Sequence, residues 1–371
     1  MAFSNTIQLT TLNIIPILPT ETSVFRLSSA NSTWRSTLPL EPSTFLWQIS
    51  SPSTGSWNDL TTWTTSTTSF LLTSTEFDNC NFRILENRKN STVSLTSIGL
   101  YERRFTLQPL PSSDNIELWL DATKGLYNGL SALSADNSSV ALWSDLSRKE
   151  RNPIQSVVNN FPTLKTNVQN GNNVLRFNGT SQFLQILNST ATFNFMHNGT
   201  KHTVFMIVKA GNSTNPNAIY TLFANNRLES NQTGTGFYYD DRSGIRNNAY
   251  LVTLYTPTHF TTGPVLQEII PNVFTPNTYN LITSEIDPSN AIAAQRSTTY
   301  FNITNGPFAT NTDTAPPQTT NAPVNLTFGQ HGNNGAYLNG DLCEIIVYRG
   351  ILQTSERQTV ENYLKTKWGT S

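Results

Sequence analysis

Along most of this chain apolar and polar residues alternate in short runs, and Gly, Pro, Asn or Ser breaks each run after a few positions. A period of two over four to eight residues, closed by turn formers, predicts half-buried β-strands joined by hairpins. The pattern places strands near 44–50, 68–72 and 81–84, with a hairpin turn at 55–60 that carries Trp57. Further strands are expected near 116–120, 174–177, 183–186, 203–209, 218–223, 236–240, 250–255, 279–286, 298–303, 324–328 and 342–349. In the last of these Cys343, Ile345 and Val347 would fall on one face and Leu342, Ile346 and Tyr348 on the other, which predicts a strand covered on both sides. One segment departs from the rule. Val360, Tyr363, Leu364 and Trp368 recur at helical spacing, Ser355 and Gln358 have the spacing of a capping box, and Gly369 is placed to end the helix.

The clearest break is Pro109-Leu110-Pro111-Ser112-Ser113-Asp114. It predicts two domains, 1–110 and 114–371, the second large enough for a single extended sandwich.

Composition narrows what such a chain does. Of 371 residues 37% are hydrophobic and 11% aromatic, enough for a packed core. Only 13% are charged, against about 25% in ordinary soluble domains. The formal net charge of −1 gives no basic surface for a phosphate backbone, so nucleic acid is not an expected partner. Residues 1–20 lack a basic start and their apolar stretch is interrupted by Pro16, so no secretory signal is expected; no apolar run is long enough to predict membrane insertion. Cys80 and Cys343 lie far apart, one in each predicted domain, and both are expected to be reduced.

Trp47-Gln48-Ile49-Ser50, Trp57-Asn58-Asp59-Leu60 and Phe82-Arg83 resemble the immunoglobulin-like modules of bacteria and phages. That resemblance implies an N-terminal Ig-like β-sandwich with Trp47 in the core of its third strand, although Cys80 has no partner there for the disulfide of antibody domains. Over the second domain, Leu118-Trp119-Leu120-Asp121-Ala122, Trp143-Ser144-Asp145-Leu146-Ser147, Val174-Leu175-Arg176-Phe177-Asn178-Gly179, Leu326-Thr327-Phe328-Gly329 and Tyr337–Tyr348 with the terminal helix resemble, in order, the laminin-G-like, concanavalin A-like lectin/glucanase family. That resemblance implies an all-β chain whose second domain is a concanavalin A-like jelly-roll sandwich with a short C-terminal helix.

The combination is similar to bacteriophage head-decoration, fibre and tail receptor-binding proteins. It implies a non-enzymatic virion protein, made in the host cytoplasm, that assembles as a homo-oligomer with capsid or tail proteins and recognises host-surface glycans. The alternatives are a secreted or cell-surface adhesin and a glycoside hydrolase. Glucanases of this superfamily carry three carboxylates on one strand. The nearest match here, Glu285-Ile286-Asp287, has Asn290 in the third place and Pro288 within the strand, so no catalytic residues are expected. Asp341 and Glu344 read as structural carboxylates, and Asp121 and Asp145 as turn braces. The candidate ligand site is Tyr238, Tyr239, Asp240 and Asp241, where paired acids beside aromatics would hydrogen-bond a sugar stacked on tyrosine or hold calcium, the one cofactor the chain admits. The plainer alternative there is a solvated hairpin turn with an Asp–Arg pair. His197, His202, His259 and His331 show no metal-ligand spacing.

Overall fold

The computed structural model describes the backbone of seven strands within residues 12–103, and residues 110–371 apart from 129–130, 134, 148, 211–217, 228–230, 243, 245, 276, 333–334 and 371. The chain divides into two compact units, Met1–Ser112 and Ser113–Ser371. The all-β class expected from the alternation is what the structure has, with one long helix among the described residues, near the C-terminus.

The first unit contains β1 (Leu12–Ile17), β2 (Val24–Ser29), β3 (Thr44–Ser50), β4 (Trp57–Asp59), β5 (Ser69–Leu72), β6 (Asn81–Lys89) and β7 (Thr96–Arg103). They form two antiparallel sheets, ordered β1-β2-β5 and β4-β3-β6-β7. Strands that leave one sheet for the other and return, as β2, β3, β4, β5 and β6 do, give the crossed connectivity of immunoglobulin-like sandwiches. Trp47 lies in β3; its side chain, like Cys80, is outside the described residues.

The second unit is built on two large sheets. Its strands are β8 (Ile116–Asp121), β9 (Leu126–Asn128), β10 (Ser131–Ala132), β11 (Leu142–Trp143), β12 (Thr163–Gln169), β13 (Asn172–Asn178), β14 (Leu184–Gln185), β15 (His202–Ala210), β16 (Ile219–Ala224), β17 (Gly234–Asp240) and β18 (Ala249–Tyr255). After the short helix α1 (His259–Thr262) come β19 (Leu266–Ile270), β20 (Tyr279–Ile286), β21 (Ser297–Phe301), β22 (Asn305–Phe308), β23 (Thr327–Phe328), β24 (Asn339–Arg349) and helix α2 (Thr354–Trp368). One sheet has eight strands, β12-β13-β24-β15-β20-β21-β22 with β8 also on β24; the other has six, β14-β23-β16-β17-β18-β19.

The core lies between these sheets. Val204, Met206 and Val208 of β15 stand opposite Val347, Ile345 and Leu342 of β24, and face Phe237, Tyr239, Val252 and Leu254 of the six-stranded sheet. Each such side chain, fully buried, stabilises by about 1.5–3 kcal/mol relative to exposure. The strand is covered on both sides as predicted, but its phase differs. The register slips between Ile207 and Val208, leaving Cys343 as an extra residue on β24. A bulge of this kind moves every later side chain to the opposite face. Leu342 therefore shares the core with Ile345 and Val347, and Glu344 turns to the outer face.

Helix α2 packs on that outer face, with Val360, Leu364 and Trp368 fully buried. It starts two residues before the expected cap: the Gln353 N–H donates to Glu356 Oε2 at 3.1 Å. Gly369 ends it with φ 61°, a left-handed conformation that costs glycine little. The unpaired carbonyls of the last turn are met by the β12–β13 hairpin, where Gln169 Nε2 donates to Trp368 O at 2.6 Å and Asn172 Nδ2 to Lys367 O at 2.6 Å. No helix among the described residues is long and apolar enough to cross a membrane.

Candidate functional site

Burial decides first what the expected ligand residues do. Tyr238, Tyr239 and Asp240 end β17 and are fully buried, so neither ring offers the exposed face on which a sugar would stack. The two tyrosines point to opposite sides of the strand. Tyr239 enters the core, stacks on Tyr220 with centroids 5.5 Å apart and donates to Asn248 Oδ1 at 2.6 Å. Tyr238 lies on the other face and donates to Asn226 Oδ1 at 2.9 Å. Burial pushes both hydroxyls well above the ordinary tyrosine range. Asp240 receives the Arg242 side chain through Nε, at 2.9 Å to Oδ1 and 3.2 Å to Oδ2, and through Nη2, at 2.7 Å to Oδ2. Arg246 stands 3.7 Å from the same carboxylate. Asp241 is half-buried and accepts from the Ala218 N–H at 2.8 Å. The Asp–Arg pair of the plainer alternative is present.

The Glu285-Ile286-Asp287 stretch is likewise engaged. Glu285 lies 3.5 Å from the Arg357 guanidinium of α2, and Asp287 forms an ion pair with Lys201 at 2.9 Å. Arg357 is shared with the buried Glu361 at 2.8 Å and sits 4.0 Å over the Tyr300 ring. Burial raises the Glu285 carboxyl, and Arg357 opposes that shift.

Three further carboxylates anchor networks on the eight-stranded sheet. Glu344 is fully enclosed and accepts four hydrogen bonds. Trp119 Nε1 and Tyr363 Oη donate to Oε1, each at 2.9 Å; Lys367 Nζ and Trp368 Nε1 donate to Oε2, each at 2.7 Å. Lys367 also reaches Asp121 at 2.6 Å. Asp341 takes Arg176 through Nε at 2.7 Å and Nη2 at 2.9 Å, Lys209 at 2.9 Å and the Tyr279 hydroxyl at 2.6 Å. Burial favours protonation of Asp341, yet these donors together hold its carboxyl below the usual range. Asp145 braces its turn, accepting from the N–H groups of Trp119, Ser147 and Arg151.

The third network differs in its balance. On β8 Leu118 and Leu120 enter the core, so Glu117, Trp119 and Asp121 alternate onto the outer face. Glu117 accepts from Arg349 Nε at 2.8 Å and Lys149 Nζ at 3.0 Å through Oε1, and from Arg151 Nη1 at 2.6 Å through Oε2. Burial alone would raise this carboxyl; the hydrogen bonds of the three cations outweigh it and hold the pKa at about 2. Beneath lie two buried rings. The Arg349 guanidinium sits 4.4 Å over Phe195 and that of Arg151 5.3 Å from Phe193. Sequence reasoning did not single out this cluster, because its members come from four separated segments. The available signal was the Arg148-Lys149-Glu150-Arg151 run, dense in charge for so uncharged a chain.

Nearby, His197 and His202 are buried. His197 Nε2 bonds to Thr320 O at 3.0 Å and His202 Nδ1 to Thr200 O at 3.1 Å, and burial holds both below the usual histidine range. Among the described residues no three His, Cys, Asp or Glu side chains are gathered as a metal ion would need.

The architecture defines a class, the all-β sandwich proteins, before any relative is considered. No family model and no curated protein matches the chain. Among solved structures it is similar to Trypanosoma rangeli sialidase in complex with sialic acid, at 11% identity and TM-score 0.40, over 96% of this chain and 62% of that one. It is also similar to the botulinum neurotoxin serotype D binding domain, at 14% and 0.43 over 70% and 54%. A third likeness is the binding domain of Paraclostridial Mosquitocidal Protein 1, at 15% and 0.44 over 70% and 56%. The chain spans 54% to 62% of the length of these three structures. Sialidases stand among them, so the expectation that the chain is not an enzyme is withdrawn.

Proposed function

We propose that this chain is a display protein of a bacteriophage particle, a head-decoration, fibre or tail receptor-binding protein, and that its second unit recognises host-surface glycans. The observation that carries the reading is the sandwich itself, with both sheets packed on one core and its helix fixed to the outer face through Glu344. Such a unit is a rigid platform that holds a surface in place. The resemblance to laminin-G-like and Ig-like modules supports the same reading, as does a surface solubilised by Asn, Ser and Thr rather than by charge. Capsid or tail proteins are the assembly partners, and several copies share one particle. Affinity per site is low on this view, since one stacking contact contributes only about 1 kcal/mol. Useful avidity then comes from copy number.

The test has two arms. Antibody against the chain should label purified particles in electron micrographs; unlabelled particles would exclude the virion role and leave a cell-surface adhesin. A glycan array should register binding by multivalent protein that is much weaker for the monomer. Silence in both formats would remove glycan recognition.

A further inference from the structure

We infer that the Glu117 end of the eight-stranded sheet is an anion site that takes the carboxylate or sulfate group of an acidic glycan; the inference rests on the glycan reading above. The first ground is charge balance. Lys149, Arg151 and Arg349 all converge on one carboxylate, and among the described residues no second acid pairs with any of the three. Elsewhere the excess is smaller: Asp341 meets two cations, Arg176 and Lys209, and Asp240 meets Arg242 and Arg246, whereas Lys201 meets Asp287, Glu285 and Glu361 share Arg357, and Asp121 and Glu344 share Lys367. Three cations held within reach of one another repel, and an oxyanion relieves that repulsion.

The second ground is exposure. The Glu117 side chain is 5% exposed, whereas those of Arg151, Lys149 and Arg349 are 21%, 32% and 45% exposed. The carboxylate is the floor and the cations are the rim. Arg349 meets Glu117 through Nε, and among the described residues its two terminal nitrogens donate no hydrogen bond; that edge of a guanidinium can take a carboxylate or sulfate through parallel bonds.

The third ground is rigidity. The guanidiniums of Arg349 and Arg151 rest on Phe195 and Phe193, buried rings whose centroids are 6.0 Å apart. Side chains fixed in this way lose little rotamer freedom when a ligand arrives. The cluster is a single focus and not a track of cations along a groove, which favours one anionic substituent over a nucleic-acid backbone.

Calorimetry on the full chain with trigalacturonate, sulfated maltotriose and maltotriose tests the inference. Binding of one or both anionic trisaccharides, and not of maltotriose, is expected, and their ratio tells carboxylate from sulfate. Affinity should fall as salt rises from about 0.05 to about 0.5 M. Arg349→Ala and Lys149→Glu should each weaken it by about tenfold or more. Should Arg349→Ala fail to fold, the rim residue Lys149→Glu decides, with an unchanged melting curve as control. Anion binding that either folded variant retains in full would overturn the inference, as would equally tight binding of a DNA oligonucleotide. Neutral glycans binding alone would overturn it while leaving glycan recognition standing; no binding to any probe or array would remove both.

Discussion

Glu344 and Glu117 stand at opposite ends of one outer face. Asp121, opposite Glu344 in the register, and Glu117 are four residues apart on β8, about 13 Å along the strand. Both acids are buried and both receive cations, yet the surroundings differ in kind. Around Glu344 two indoles, a phenol and one lysine close over the carboxylate, and the lysine is shared with Asp121. Around Glu117 every donor is a cation and the cations reach solvent. The lesson is that burial of an acid does not mark a site. What marks it is which partner has capacity left over: enclosure saturates Glu344 and makes it a fastener, whereas excess positive charge makes the Glu117 end receptive.

The comparison can be broken most forcefully at the fastener. Glu344→Ala leaves the Trp119 and Trp368 indole N–H groups unpaired and Lys367 with Asp121 as its one remaining carboxylate, and should cost the second unit roughly 3–5 kcal/mol in denaturant unfolding. A loss under about 1 kcal/mol would show that the network is incidental to the fold. Trp368→Ala should cost a similar roughly 3–5 kcal/mol by opening a cavity under the helix. A change below about 0.5 kcal/mol would mean that the helix is loosely attached.

The sign of pH dependence sharpens the contrast. The Glu117 carboxyl is held down to about 2 from an ordinary 4.5, so its stabilising contribution is present above 4.5 and is lost as pH falls toward 2. Glu268 is the opposite case. It is buried, pairs with no cation among the described residues, and accepts from Ser297 at 2.7 Å and Thr299 at 2.8 Å; burial raises its carboxyl above 4.5. Its contribution is present below 4.5 and is lost as pH rises through the raised value. Unfolding midpoints from about pH 3 to about pH 7 should therefore show Glu117→Gln losing less than wild type on acidification, and Glu268→Gln gaining on wild type as pH rises. Parallel curves for all three proteins would contradict both assignments. At the smallest scale, Lys149→Ala should change stability by less than about 0.5 kcal/mol, as removal of an exposed partner does, even where it weakens anion binding. A larger loss would make Lys149 a fastener too.

Much of the fold was legible in the alternation and in the helix signal, because both report directly on which face is buried. Val360, Leu364 and Trp368 point inward as their spacing requires. The short pairings β9–β11 and the edge strand β22 were not, since two to four residues carry too little period to register. The phase of β24 escaped because a bulge is a tertiary event; nothing in Leu342-Cys343-Glu344 says which residue will be the extra one. The candidate loop misled for a related reason. Tyr238 and Tyr239 look like a surface pair, but β17 lies inside a six-stranded sheet and both its faces are covered. The Glu117 cluster joins residues 34 and 232 positions apart, and no local pattern encodes such a meeting.

The strand that carries Glu344 also sets an order of assembly. β24 pairs with β15 along one edge and with β13 and then β8 along the other, and all three precede it in the chain. During synthesis the middle of the eight-stranded sheet is thus a gap bordered by unpaired, apolar strand edges, and it closes only when residues 339–349 emerge. Long-range closure of this kind is slow and exposes edges that can pair with other chains. The interval before β24 arrives is when neighbouring nascent chains can most easily borrow one another's strands.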